Sequence, residues 1–127
     1  MAKLILKVNN LFSYFKIQTW KKGVIIMISR KNELASIVAY YLSKYDMRAV
    51  TALGCHSRKE AFEFTADRLE VKSNYVKQRR DEFDVLTGSH RNGYCNRKPI
   101  DYVIFMHDTL NILSFEELSS KVMNILK

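Results

Sequence analysis

Between residues 29 and 114 a helix-opening signal recurs six times, each followed by apolar residues spaced three and four apart. That spacing is the period of a helix face, whereas a half-buried strand would alternate. A single proline and four glycines stand in 127 residues, so little in the chain interrupts helices.

The signals divide the chain. Ser29 or Asn32 opens a helix to about Tyr45, with Leu34, Ile37, Val38, Tyr41 and Leu42 as its apolar face. Asp46 caps a short helix through Val50 and Leu53, and Gly54 closes it. Ser57-Arg58-Lys59-Glu60 has capping-box spacing and starts a third helix, whose inner face is Ala61, Phe62, Thr65, Ala66 and Leu69. Ser73 caps a fourth, carrying Tyr75, Val76, Phe83 and Leu86. Residues 87–98 are polar and contain two glycines, and read as a loop or short hairpin. Pro99 favours the first turn of a fifth helix through Val103, Ile104, His107 and Leu110. Ser114-Phe115-Glu116-Glu117 is a second capping-box spacing and opens a last helix to Leu126. The expected fold class is mainly α: one domain of five or six helices, with the loop as a small β wing.

Charge divides the chain differently. Residues 1–26 hold Lys3, Lys7, Lys16, Lys21 and Lys22 and no acid, which is +5 of the net +8. Residues 27–127 hold 16 Lys plus Arg and 13 Asp plus Glu. The leading segment is not a secretory signal, because Lys7 interrupts its apolar start and no small-residue cleavage site follows. Two readings remain. It is an upstream extension outside the fold, with translation starting at Met27, or an amphipathic anchor in which Leu11, Phe12, Tyr14, Phe15, Ile17 and Trp20 are interleaved with lysines. The expected domain is therefore 27–127. No run reaches the ~18 apolar residues of a membrane span. Cys55 and Cys95 alone make no disulfide framework, and a cytoplasmic setting is expected.

The third and fourth helices are separated by only Glu70-Val71-Lys72-Ser73, the spacing of a helix-turn-helix. Ala66 is small where the second helix crosses, and Leu69, Val71 and Val76 form the apolar wedge between the two. The second helix would direct its N-terminus at DNA, where unpaired N–H groups and a partial positive charge suit phosphate. Its exposed face is expected to carry Lys72, Ser73, Asn74, Lys77, Gln78 and Arg80. Asn and Gln pair bidentately with adenine, Arg and Lys with guanine, and lysines also hold phosphates. Two positions depart from the motif: Glu70 replaces the usual turn glycine, and Arg79 stands where an apolar residue would point inward. The bland alternative is a helical hairpin whose polar face is merely solvated.

From about Glu33 to Leu126 the chain resembles small helix-turn-helix domains fused to restriction endonucleases and related bacterial defence proteins. The resemblance rests on Ala49 to Gly54, Glu60-Ala61-Phe62, Leu69-x-Val71, Lys77-x-x-Arg80-Asp81-Glu82-Phe83-Asp84, Arg91-x-Gly93-Tyr94-x-x-Arg97-x-Pro99 and Ser114-x-Glu116-Glu117-Leu118. Tyr94 stands where an indole is more typical, and Lys98 precedes the proline. It implies a target-engagement module that works beside a nuclease, methyltransferase or ATPase partner and binds double-stranded DNA.

The loop after the second helix carries Arg91, Asn92, Arg97 and Lys98 around Gly93 and Tyr94, and is placed like a wing touching the backbone or minor groove. Asp81 and Asp84 are expected to pair with Arg79, Arg80 or Arg97 rather than hold a metal. No dinucleotide, phosphate-loop or nucleophile-elbow pattern occurs. Cys55, His56, His90 and Cys95 lack zinc-finger spacing. His107 falls on an apolar stripe and reads as a core or half-buried histidine. No catalytic residue, cofactor or metal is therefore expected. The competing function is a protein-interaction module presenting Tyr40, Tyr41 and Tyr45 to a partner subunit. A small nuclease using Asp81 or Asp84 is the third possibility.

Overall fold

The structure is a computed structural model that describes residues 29–88 and 99–127. The basic leading segment and the expected wing, with Arg91, Asn92, Arg97 and Lys98, lie outside the described residues. Those described form six helices, α1 (Arg30–Tyr45), α2 (Met47–Ala52), α3 (Arg58–Leu69), α4 (Ser73–Thr87), α5 (Asp101–Leu110) and α6 (Phe115–Ile125). No strand occurs among the described residues. The protein is mainly α, as its sequence predicts.

Helix α1 is the axis of the fold and touches all five others. Residues 35–43 are buried on every side of it, not only along the expected stripe. The cause is legible in composition: no charge falls between Glu33 and Lys44, and a helix apolar all round has no face to give to water. Leu34, expected on the inner face, is only half-buried. Tyr40 and Tyr41 are fully buried, so they offer a partner no surface. Tyr40 meets Phe83 of α4 edge to face at 5.4 Å, and Tyr41 stacks on Phe115 of α6 at 5.8 Å. Tyr45 packs edge-on against the same Phe115 at 4.8 Å. The Tyr41 hydroxyl shares a 2.6 Å hydrogen bond with Ser119.

The helix ends follow their sequence signals with local differences. Ser29 caps α1 by accepting from Asn32 N at 3.2 Å. Asp46 does not cap α2 through its side chain. Its carboxylate instead takes Arg58 Nε at 2.7 Å and Nη2 at 2.9 Å, fastening the α1–α2 corner to the start of α3. Helix α2 ends in a Schellman arrangement: Cys55 N donates to Val50 O and Gly54 N to Thr51 O, with Gly54 at φ +78°. Ser57 caps α3, but Glu60 reaches back to His56 N at 3.0 Å rather than to Ser57 N, so only half of the expected box forms. Pro99 lies before the helix, and Ile100 is the N-cap of α5. The Ser114–Glu117 capping box at α6 is complete.

Candidate nucleic-acid interface

Helices α3 and α4 are joined by Glu70, Val71 and Lys72. Glu70 adopts the left-handed conformation, φ 56° and ψ 45°. A glycine would enter that region freely, whereas an L side chain costs about 1 kcal/mol there. The turn is drawn tight by Val71 N donating to Ala66 O at 3.0 Å. Thr65, Ala66 and Leu69 of α3 and Val76 of α4 are buried. The apolar residues expected to form the wedge are thus withdrawn from solvent, with Val71 half-buried.

The expected cap of α4 is displaced. Lys72 is the N-cap and Ser73 the first helical residue, and no side chain caps this end. The physical reason is that Lys has no acceptor to offer the first N–H groups. The positive end of the α4 dipole thus faces outward without a side-chain acceptor.

Lys72, Ser73, Asn74, Lys77 and Gln78 are all exposed. They occupy the first turn and a half of α4, and no acid lies among them. Arg80 is a correction: it is buried, with 7% of its surface exposed. Its spacing of three from Lys77 suggests a shared face, but cover changes along the helix. Around residues 80–84, α1 and α3 close over the side that is open at Ser73 and Lys77. The Arg80 guanidinium lies over the Phe62 ring at 5.1 Å and binds Asp81 at 2.8 Å. Its Nε faces Asp84 Oδ2 at 3.7 Å and has no hydrogen-bond partner. Asp84, 2% exposed, accepts from Ser43 of α1 at 2.7 Å. Asp81 and Asp84 thus pair with Arg80, as expected, in a buried polar cluster tying α4 to α1.

Arg79 points inward, as its position in the pattern indicates. Its guanidinium lies 5.2 Å from the Tyr75 ring and 5.6 Å from the Tyr102 ring, and it binds Glu82 at 3.0 Å. Burial opposes its charge, and the neighbouring Tyr75 and Glu82 outweigh that and push its pKa upward. The cation is satisfied inside the fold, so it does not serve the surface.

Sequence reasoning missed the charge pattern of α3. Glu60, Glu63, Asp67 and Glu70 recur at spacings of three and four, and all are exposed along α3. Arg58, Lys59 and Arg68 are exposed on the same helix and balance its acids, so α3 carries no net charge, whereas the start of α4 carries Lys72 and Lys77 with no acid among its exposed residues. The signal was in the spacing of the acids. Beside the turn, the start of α1 adds Lys31, whose ammonium binds Glu70 at 3.2 Å across an open groove.

The other candidate chemistry is dispersed. Among the described residues no group of three or more His, Cys, Asp or Glu is placed to hold a metal ion. Cys55 is buried, and burial pushes its thiol pKa up, while His56 is exposed. His90 and Cys95 lie outside the described residues. His107 is half-buried, edge-on to Tyr40 at 5.8 Å, with Nδ1 3.1 Å from Asp108. No helix among the described residues is long and apolar enough to cross a membrane. Comparison with family models, curated proteins and solved structures finds no match to the chain.

Proposed function

We propose that this protein is a non-catalytic module that binds duplex DNA through the N-terminal half of α4. The observation that carries the reading is the arrangement at α4. Lys72, Ser73, Asn74, Lys77 and Gln78 are exposed together on an uncapped helix start, reached by a tight turn from α3. That start supplies unpaired N–H groups and two lysines for phosphates, and two amide side chains for base edges. Lys72 and Lys77 set affinity and register, and Asn74 and Gln78 read sequence, with adenine the base their amides pair with best. Arg80 takes no part, because it is spent on Asp81, Asp84 and Phe62.

The resemblance to domains of restriction and defence systems extends the proposal: the module positions a nuclease, methyltransferase or ATPase partner on its target in the cytoplasm. Fluorescence anisotropy of the full chain with labelled duplexes tests the reading. Asn74→Ala and Gln78→Ala together should flatten the preference between duplex sequences, while Lys72→Ala and Lys77→Ala weaken binding to all of them. A chain that leaves every duplex unbound at low salt refutes it.

A further inference from the structure

The turn before α4 contains a residue that neither backbone nor packing calls for. Glu70 sits at φ 56°, where glycine is unstrained, and its side chain is 78% exposed. It lines the groove of about 680 Å³ between the start of α1 and the start of α4, together with Lys31 and Lys72. Glu70 is the acid of that lining, and its carboxylate holds the Lys31 ammonium at 3.2 Å.

We infer that Glu70 is an electrostatic brake on polyanion binding, which keeps Lys31 from a phosphate and sets a negative charge beside Lys72. The inference rests on the duplex-binding reading of the α4 face. With Glu70 ionised, the groove presents two lysines and one carboxylate. Neutralising the carboxylate doubles its net positive charge and releases Lys31 toward the DNA backbone. Each further phosphate neutralised steepens the fall of log affinity with log salt by about 0.9. Because the added contact is to the backbone, it strengthens binding to all sequences alike and leaves base preference unchanged.

The test is anisotropy of the full chain with a labelled duplex over a salt series, comparing wild type, Glu70→Gln and Lys31→Ala/Glu70→Gln. Glutamine keeps the size and the left-handed backbone of the native residue while removing its charge, and a thermal melt of each variant confirms the fold. Glu70→Gln is expected to bind about tenfold more tightly at low salt, with a slope steeper by about 0.9, and the added Lys31→Ala to return the slope to its wild-type value. Wild type that binds while Glu70→Gln matches it in affinity and slope overturns the brake and leaves the duplex reading standing. Failure of wild type and Glu70→Gln alike to bind overturns both.

Discussion

Replacing Asp84 by Asn probes the cluster that removes Arg80 from the surface. Asp84 is 2% exposed and accepts from Ser43 Oγ at 2.7 Å, a bond the Asn carbonyl can keep. Its second oxygen faces Arg80 Nε at 3.7 Å. In the variant that oxygen becomes an NH2, so two donors confront each other beside a guanidinium whose side chain is 9% exposed. Breaking a buried ion pair costs about 3–5 kcal/mol. Here the lower end applies, since the lost contact is longer than a hydrogen bond and Asp81 still holds Arg80 at 2.8 Å. A loss of about 3 kcal/mol lowers the melting temperature of a domain this size by about 15 °C. Urea titration followed by circular dichroism measures the loss. Arg80→Met combined with Asp84→Asn removes both charges and should recover stability to within about 1 kcal/mol of wild type. If Asp84→Asn alone unfolds within about 0.5 kcal/mol of wild type, the buried network is not what holds α4 to α1, and the reasoning that withdraws Arg80 from the interface fails.

Two further predictions concern stability. Tyr40 and Tyr102 have phenol pKa values raised well above 10.0, chiefly by burial. The native state therefore keeps protons that the unfolded chain gives up, so stability is intact below pH 10 and falls as pH rises beyond it. Melting temperatures from pH 8 to 11 should decline above 10, and Tyr40→Phe should reduce the decline; a flat profile contradicts the burial argument. Ser114→Ala removes the side-chain bond of the α6 capping box, Glu117 N to Ser114 Oγ, while the return bond from the backbone N of residue 114 to Glu117 keeps its donor. The expected cost is about 1 kcal/mol in denaturant titration, and no loss would show that the side-chain bond contributes nothing.

Much of the helical layout is legible in the sequence, because caps and apolar spacing act within a few residues. Ser29, Ser57 and Ser114 cap where their spacing says they should. What local pattern misreads is tertiary. Asp46 looks like a cap, yet Arg58, twelve residues on, claims its carboxylate. Arg80 shares a helix side with Lys77, yet Phe62 and Ser43, on two other helices, decide that this part of α4 is covered. Tyr40, off the stripe that carries Tyr41, reads as a surface because period alone cannot say that a helix is enclosed on all sides. The absence of charge from Ala35 to Ser43 says it more directly. Arg79 shows the reverse case: an arginine at an inward position fits because Tyr75, Tyr102 and Glu82 surround it.

The salt dependence of duplex binding by the full chain, with and without Lys72→Ala/Lys77→Ala, tests the central claim most directly. The chain also carries five lysines in residues 1–26, so the double variant isolates the α4 contribution. Binding through the α4 face predicts weaker affinity for every duplex and a log–log salt slope shallower by about 1.8 for two lost phosphate contacts. A double variant that binds with the wild-type affinity and slope contradicts the account.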